Sequence, residues 1–146
     1  MSDRRVVILC GPPGAGKTTA ARASGLEVFD RDDPQWSGES DFRRALADLA
    51  RDPAARAAVI RSGATSSARA KAAQLVNATH VFVLLADEAE LKRRVRARGR
   101  ADLVTGIASV PRWLASFDRL DGVSDFPGWD SLAPTDLSVG VRSREW

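Results

Sequence analysis

The chain has 146 residues and a mass of 15.7 kDa, which is enough for one domain around one hydrophobic core. Hydrophobic residues make up 44% of it and charged residues 28%, which is typical of a globular protein, and no apolar run approaches the length of a membrane helix. The single Cys10 excludes an internal disulfide, and with the single His80 it excludes a Cys/His metal site. The apolar run near the N-terminus is too short for a signal peptide, so we expect a soluble, cytoplasmic protein with no membrane contact.

The charge balance permits an anionic partner without requiring one. The formal net charge is +3, and among the 22 basic residues the lysines are only Lys17, Lys71 and Lys92. Arginine binds phosphate in a bidentate geometry, which suits nucleotide or nucleic-acid binding, but a GC-rich genome also enriches arginine. The positions of the arginines therefore carry more information than their number. Composition and charge leave the oligomeric state open.

Strand-like and helix-like patterns alternate along the chain. Apolar runs predict buried strands at 6–10, 26–29, 57–61 and 80–85. Helices are predicted at 17–23, at 41–51 with Ser40 as its cap, at 66–76, at 88–98 with Asp87 as its cap, and at 109–120 with Pro111 in the first turn. The alternation predicts one α/β domain over 1–146, in three layers around a mainly parallel sheet of four or five strands. Residues 121–146 are expected to be mostly irregular, with one edge strand near 137–141.

A glycine-rich turn lies between the first predicted strand and the first predicted helix. It fits the phosphate-binding pattern G-x-x-x-x-G-K-[ST], the P-loop, with Gly11, Pro12, Pro13, Gly14, Ala15, Gly16, Lys17 and Thr18. Glycines let backbone N–H groups approach phosphate oxygens, and the helix N-terminus adds a positive dipole end. In such a loop Lys17 binds the β- and γ-phosphates, and the Thr18 hydroxyl binds Mg²⁺. These residues and the adjacent Thr19 predict a site for ATP and Mg²⁺ in a P-loop NTPase fold.

Acidic residues follow the second predicted strand at Asp30, Asp32 and Asp33. The carboxyl ends of parallel strands share one edge of the sheet, so these carboxylates should lie near the P-loop. There a carboxylate can accept a hydroxyl proton or hold Mg²⁺ through water, whereas the alternative is a solvated acidic turn. The third strand is followed by Ser62 rather than by the acid that many P-loop ATPases carry. Magnesium would therefore depend on Thr18, the nucleotide phosphates and one of Asp30 or Asp32, which argues against a motor-type ATPase.

The predicted helix at 88–98 is strongly basic. Its cations are Lys92, Arg93, Arg94, Arg96 and Arg98, and Arg100 follows. Arg93 and Arg96 are expected on a solvated face. Arg94, Arg98 and Arg100 are expected in a basic helical lid, over about 88–106, that closes on the ATP phosphates. An arginine in that position stabilises charge on the transferring phosphoryl oxygens, and Arg98 is the main candidate.

These features resemble the kinase domain of phage-type 5′-polynucleotide kinases, small P-loop enzymes that phosphorylate 5′-hydroxyl ends. The resemblance covers about residues 5–118. Residues 30–33, Asp-Arg-Asp-Asp, stand where the family has Asn-Arg-Asp-Asp, which implies that Asp32 is the general base. Residues 97–99, Ala-Arg-Gly, stand where the family lid has Lys-Arg-Gly, which implies that Arg98 contacts the nucleotide phosphates.

Two departures from that family concern the acceptor and the metal. Gln35 replaces an arginine that contacts the acceptor phosphate in the family, and Ser62 replaces an aspartate just after the third strand. The candidates for the missing acceptor contact are Arg43, Arg44 and Arg61.

The sequence therefore predicts a Mg²⁺- and ATP-dependent kinase in which Lys17, Asp32 and Arg98 are catalytic. The preferred acceptor is the 5′-hydroxyl end of a nucleic acid, whose bases the four tryptophans could stack against unless they are core residues. A kinase for a small metabolite, a nucleoside or a nucleotide would use the same residues. The alternative outside the kinases is an ATP-binding module with slow hydrolysis, in which Asp32 would have no catalytic position.

Overall fold

The structure is a computed structural model that describes residues 4–98 and 103–132. Its strands are β1 (Arg5–Cys10), β2 (Glu27–Phe29), β3 (Arg56–Arg61), β4 (His80–Val83) and β5 (Ser124–Asp125). Its helices are α1 (Lys17–Arg22), α2 (Glu39–Arg51), α3 (Ser66–Val76), α4 (Glu88–Arg98) and α5 (Leu103–Ser116), followed by a 3₁₀ turn (Asp130–Leu132). None of the helices in the described ranges combines the length and the hydrophobicity that a bilayer crossing requires.

The five strands form one sheet in the order β2-β3-β1-β4-β5, and every neighbouring pair is parallel. All six residues of the central strand β1 are buried, which explains its nearly continuous apolar sequence. Strand β1 has β3 on one side and β4 on the other, and at such a switch point the loops at the carboxyl ends open a crevice. The predicted parallel α/β sheet is confirmed, and the P-loop starts in this crevice.

Alternate residues of β1 pack against helices on opposite faces of the sheet. Ile8 belongs to a buried cluster with Phe42 of α2 and Val76 of α3. Leu9, one position along, belongs to a second cluster with Ala21 of α1. The sheet is therefore the middle of the three predicted layers, with α2 and α3 on one face and α1 on the other.

Two helix starts show how far local capping preferences apply. Helix α4 begins as predicted, because the Oδ1 atom of Asp87 accepts a hydrogen bond from the backbone N–H of Glu90 at 2.9 Å. Helix α2 begins at Glu39 with Gly38 at the cap position, so the predicted cap Ser40 lies inside the first turn. The prediction at Ser40 was wrong because more than one residue near position 40 can begin the helix and local sequence does not choose between them.

Helix α5 begins at Leu103 rather than at the predicted residue 109, so Pro111 lies in the helix interior. A proline there removes one backbone hydrogen bond and crowds the carbonyl group of Ile107. Packing offsets this cost, because Val110 and Trp113 are both buried. The predicted boundary was wrong because it placed Pro111 by local preference alone.

The segment after residue 121, predicted to be mostly irregular, contains the fifth strand. Strand β5 pairs with β4, and the backbone N–H of Phe126 donates to the carbonyl oxygen of Val83 at 2.9 Å. The indole N–H of Trp129 donates to the carbonyl oxygen of Ala20 at 2.7 Å, which holds this segment on α1. The edge strand predicted near 137–141 lies outside the described residues.

Arg4 connects the C-terminal ends of two helices. Its guanidinium group donates to the carbonyl oxygens of Leu49 and Asp52 at the end of α2, at 3.3 and 2.9 Å. It also donates to those of Val76, at 2.9 Å, and Asn77 at the end of α3. Carbonyl groups at helix ends have no intrahelical partner, and a cation also opposes the negative end of the helix dipole. Arg4 therefore stabilises both helix ends at once.

A buried arginine, Arg69 of α3, connects α3 to the segment after α5. Its side chain is 1% exposed, and its Nε and Nη2 atoms donate to the two carboxylate oxygens of Asp121 at 3.0 and 2.8 Å. It also donates to the carbonyl oxygens of Gly63, Ala64 and Asp118. The hydrogen bonds from Arg69 lower the pKa of Asp121. Because Gly63 and Ala64 lie in the loop that follows β3, Arg69 also fixes that loop, which lies beside the P-loop.

Replacing Arg69 with alanine should lower the free energy of unfolding by about 3 kcal/mol, at the low end of the range for breaking a buried ion pair. The low end applies because Asp121 keeps contact with solvent and can be hydrated once the arginine is gone. Urea unfolding measures the change. Arg112→Ala, at an exposed position of α5, is the matched control and should change stability by less than about 0.5 kcal/mol. Equal midpoints for the two variants would show that Arg69 has no such structural role.

Candidate active site

The P-loop connects the end of β1 to the start of α1 and depends on its glycines. Gly14 and Gly16 have positive φ angles of 83° and 93°, which other residues rarely adopt. A Cβ atom on Gly11 would lie 2.6 Å from the carbonyl oxygen of Leu84, and one on Gly14 would lie 2.7 Å from that of Leu91. Larger side chains at these positions would therefore displace the neighbouring chain. The glycines of the P-loop sequence pattern thus stand where the backbone geometry requires glycine.

Lys17 is the first residue of α1, and its Nζ atom donates to the carbonyl oxygen of Gly11 at 2.6 Å. Burial lowers the pKa of Lys17, and the nearby carboxylates of Asp30 and Asp32 oppose that effect. Phosphate oxygens are charged acceptors and bind an ammonium group more strongly than a backbone carbonyl does. Lys17 is thus held in a position from which it can exchange Gly11 for a phosphate group.

The first acid after β2, Asp30, lies against the P-loop threonine. Its Oδ2 atom accepts a hydrogen bond from the Thr18 hydroxyl at 3.3 Å, and its Oδ1 atom accepts one from the backbone N–H of Asp32 at 3.1 Å. The Asp32 side chain is exposed. The two acids therefore differ in surroundings: Asp30 lies beside the predicted magnesium ligand, and Asp32 faces solvent.

Trp36 holds the segment that carries these acids. Its indole N–H donates to the carbonyl oxygen of Asp30 at 2.9 Å. Its ring stacks on Phe29 of β2, with centroids 6.0 Å apart, and meets Phe42 of α2 edge-on at 5.4 Å. The buried Trp113 similarly donates to the carbonyl oxygen of Ser62 at 2.9 Å. The tryptophans that the structure describes therefore have packing roles, and Trp146 lies outside the described residues.

The P-loop, the segment after β2 and α4 surround an open cavity of about 620 Å³. Ligand sites in proteins have volumes of roughly 300–1,000 Å³. The cavity is lined by the predicted site residues Pro13, Gly14, Ala15, Gly16, Lys17, Thr18, Thr19, Asp32, Arg94 and Arg98. Two further predicted residues, Gly11 and Pro12, are buried at the base of the loop. The proposed catalytic residues Lys17, Asp32 and Arg98 thus share one cavity.

Arg22, which was not among the predicted site residues, also lines this cavity. Its place in the cavity could have been predicted from spacing. Arg22 follows Thr18 by four residues and so lies one helical turn further along the same face of α1. A cation there adds to the positive field that an anionic ligand would meet.

Helix α4 forms one wall of the cavity and packs directly on the P-loop. Leu91 and Val95 are buried in a cluster with Ala15. The guanidinium group of Arg94 donates to the carbonyl oxygen of Gly14 at 3.1 Å and to Glu90 at 2.7 Å. Hydrogen bonds from Arg93 and Arg94 lower the pKa of Glu90. The part of the predicted lid up to residue 98 is therefore a packed helix, and Arg100 lies outside the described residues.

Ser62, which follows β3 in place of an acid, lies in a loop that contacts the P-loop and β1 through its backbone. The carbonyl oxygen of Ser62 accepts a hydrogen bond from the backbone N–H of Gly11 at 3.1 Å. A Cβ atom on Gly63 would lie 2.3 Å from the Sγ atom of Cys10, so the loop approaches β1 closely. Burial raises the pKa of Cys10 to about 11, which leaves it protonated and unreactive.

The oxygen atoms of Thr18 and Asp30 suit a magnesium ion. Mg²⁺ prefers hard oxygen ligands and in phosphoryl-transfer sites is bound by one or two protein oxygens together with phosphates and water. Among the residues that the structure describes, no group of three or more His, Cys, Asp or Glu side chains could hold a metal ion by itself. The donor set therefore fits an ion that arrives with a nucleotide rather than one held by the protein alone.

The sheet order, the P-loop and the flanking helices define a P-loop α/β domain, and the solved structure of a kinase shares this fold. A gluconokinase from Sinorhizobium meliloti 1021 matches with a TM-score of 0.57 and 17% sequence identity, over 86% of this chain and 82% of that one. A shikimate kinase from Acinetobacter baumannii, solved with shikimate, gives a TM-score of 0.48 and 19% identity, over 86% of this chain and 84% of that one. The likeness to the gluconokinase, at this identity, shows the fold alone. No protein-family model and no curated protein matches the sequence.

Proposed function

We propose that the chain is an ATP- and Mg²⁺-dependent kinase that transfers the γ-phosphate to a hydroxyl group, with the 5′-hydroxyl end of a nucleic acid as its acceptor. The observation that carries the proposal is a complete P-loop and an exposed carboxylate, Asp32, in one open cavity. A phosphate-binding loop alone would serve a switch or an assembly module. The added carboxylate is the proton acceptor that a hydroxyl substrate needs. This activity belongs in the cytoplasm, which supplies ATP.

In the nucleotide half of the site, the P-loop backbone and Lys17 bind and orient the phosphates. Lys17 exchanges the carbonyl oxygen of Gly11 for phosphate oxygens. When bound, Mg²⁺ neutralises charge on the β- and γ-phosphates, and the oxygens of Thr18 and Asp30 would hold it, directly or through water.

In the acceptor half of the site, Asp32 takes the proton of the attacking hydroxyl group. The hydroxyl oxygen forms a bond to the γ-phosphorus while the bond between that phosphorus and the β,γ-bridging oxygen breaks, which leaves ADP. Arg98 neutralises charge on the transferring phosphoryl oxygens. Arg94, held by Glu90 and Gly14, keeps α4 against the P-loop so that Arg98 can act.

Two kinds of acceptor have specific support. The nucleic-acid acceptor rests on residues 30–33 and 97–99, which share Arg-Asp-Asp and Arg-Gly with the polynucleotide kinase pattern. A small polyol or hydroxy acid is the second candidate, because the likeness to a gluconokinase covers 86% of the chain.

Release of ADP from Mg-ATP should depend on 5′-hydroxyl oligonucleotides. The matched control is the same oligonucleotide with a 5′-phosphate, which offers no hydroxyl group at that end and should leave ADP release at its basal rate. The acceptor panel adds nucleosides, gluconate and shikimate. Stimulation by gluconate or shikimate alone would favour the second candidate. Slow ADP release that no acceptor stimulates would identify an ATP-binding module instead of a kinase.

A further inference from the structure

A second concave surface lies between α2 and α3, which we call the α2–α3 groove. Its volume is about 390 Å³. It is lined by Glu39, Phe42, Arg43, Leu46, Arg61, Ala68, Lys71, Ala72 and Leu75. The floor is thus apolar, and charged groups come from α2, α3 and the end of β3. An apolar floor with a few converging charges is typical of a ligand site rather than of a plain surface.

The charges in the α2–α3 groove are strongly unbalanced. Three cations, Arg43, Arg61 and Lys71, face one acid, Glu39. Glu39 is already shared, because it pairs with Arg43 at 3.3 Å and with Arg31, outside the groove, at 3.6 Å. Within residues 4–98 and 103–132, the side chains of Arg61 and Lys71 make no hydrogen bond or ion pair with a protein group. The groove therefore complements an anion.

The α2–α3 groove adjoins the acceptor half of the cavity through β3. Residues of β3 alternate between the faces of the sheet, and Val59 and Arg61 lie on the face covered by α2 and α3. Ile60, between them, lines the cavity that contains Asp32. Strands β2 and β3 pair in parallel, with Phe29 opposite Val59, so Asp32 and Arg61 follow at the same edge of the sheet. Arg61 therefore connects the groove to the edge of the sheet at which Asp32 lies.

We propose that the α2–α3 groove binds the phosphodiester backbone of the acceptor strand, with Arg61 and Lys71 as its phosphate contacts. This proposal rests on the proposed function and specifies a polyanionic acceptor. It also assigns a charged acceptor contact, which the uncharged Gln35 does not supply. The apolar side chains of the groove, such as Leu75, which is 38% exposed, would contact sugar or base.

The test is binding of a 5′-hydroxyl oligonucleotide, labelled at its 3′ end, in the presence of Mg-ADP so that no transfer occurs. The double variant Arg61→Gln, Lys71→Gln should weaken binding roughly tenfold or more. The slope of log affinity against log salt should fall by about 1.4, as expected for two lost contacts to single-stranded phosphates. In turnover assays KM for the oligonucleotide should rise while kcat changes little, and KM for an unphosphorylated nucleoside should not change.

The matched control is the double variant Arg96→Gln, Arg112→Gln. Both residues are exposed, both lie outside the groove, and the net charge falls by the same amount. The control should bind the oligonucleotide as the native chain does. An equal loss of affinity in the two double variants would show that only overall charge matters, and an unchanged affinity in the groove variant would show that the strand lies elsewhere. Either result overturns the proposal, as does a native chain that binds no oligonucleotide.

Folding and function remain separable in this test. Lys71 is exposed on α3, so Lys71→Glu alone should fold and should weaken binding by itself. Arg61→Lys keeps the charge and should restore most of the affinity lost in Arg61→Gln. If oligonucleotide binding depends on the groove but no acceptor is phosphorylated, the groove is a nucleic-acid site and the proposed kinase activity is wrong. If nucleosides or gluconate are phosphorylated but no oligonucleotide binds, the chain is a kinase and the proposed role of the groove is wrong.

Discussion

Lys17→Ala should lower the rate of phosphoryl transfer by at least roughly 10²–10³-fold, the cost of removing one preorganised donor to developing charge. It should also weaken ATP binding, because Lys17 is the cation at the P-loop and its contact with phosphate is charge-assisted. Single-turnover kinetics and a titration with a labelled nucleotide measure the two effects separately.

The fold should survive this substitution, since Lys17 contacts one backbone oxygen and lines the cavity rather than the core. Thermal unfolding of Lys17→Ala should therefore match that of the native chain. Arg22→Ala is an informative companion, because Arg22 lines the same cavity one turn along α1. It should reduce nucleotide affinity with a smaller effect on rate. Full activity in Lys17→Ala would show that the nucleotide site is elsewhere.

The P-loop and the central strand are predictable from sequence because both are determined locally. The pattern from Gly11 to Thr18 requires only that a buried strand precede it and a helix follow it. The continuous apolar run at 6–10 predicts the strand, and a helix is predicted at 17–23. The sheet edge that carries Asp30 and Asp32 is also predictable, because parallel strands bring their carboxyl ends together. Fold class and the general position of the site thus follow from short-range patterns.

The separate surroundings of Asp30 and Asp32 could not be predicted from their spacing. Which acid meets Thr18 depends on the turn after β2, which Trp36 fixes through its hydrogen bond to the carbonyl oxygen of Asp30. That bond depends in turn on the position of Phe42 in α2, against which the Trp36 ring packs. Such side-chain directions are properties of the assembled layers.

The structural roles of two arginines could also not be predicted from the sequence. Arg69 looks like an ordinary exposed helical cation, because its partner Asp121 lies 52 residues further along the chain. Arg4 precedes β1 and contacts the ends of two helices that follow it by 45 residues or more. Strand β5 has only two residues and no periodicity to detect. In each case the structure depends on an interaction between residues that are far apart in the chain. A pattern of neighbouring residues does not include both partners.

Asp32→Asn should reduce turnover by roughly 10²–10⁴-fold, the usual contribution of a general base, because it keeps the shape of the side chain and removes the basic oxygen. Affinity for ATP should change little, since the P-loop backbone, Lys17 and Thr18 remain. Single-turnover transfer to a 5′-hydroxyl oligonucleotide and nucleotide titration measure the two quantities.

Asp30→Asn is the matched control, because the same chemical change is made two residues away, beside Thr18. If Asp30 supports the metal side of the site, its loss should raise the Mg²⁺ concentration needed for half-maximal rate, and added Mg²⁺ should recover much of the activity. Excess Mg²⁺ should not rescue Asp32→Asn, since the missing group is a proton acceptor. Suppose that Asp32→Asn transfers phosphate at a near-native rate, while Asp30→Asn loses transfer and Mg²⁺ does not restore it. Asp30 would then be the general base, and Asp32 would not. If neither substitution reduced transfer, no carboxylate at this edge would act as the base, and the cavity would be a nucleotide site without an acceptor half.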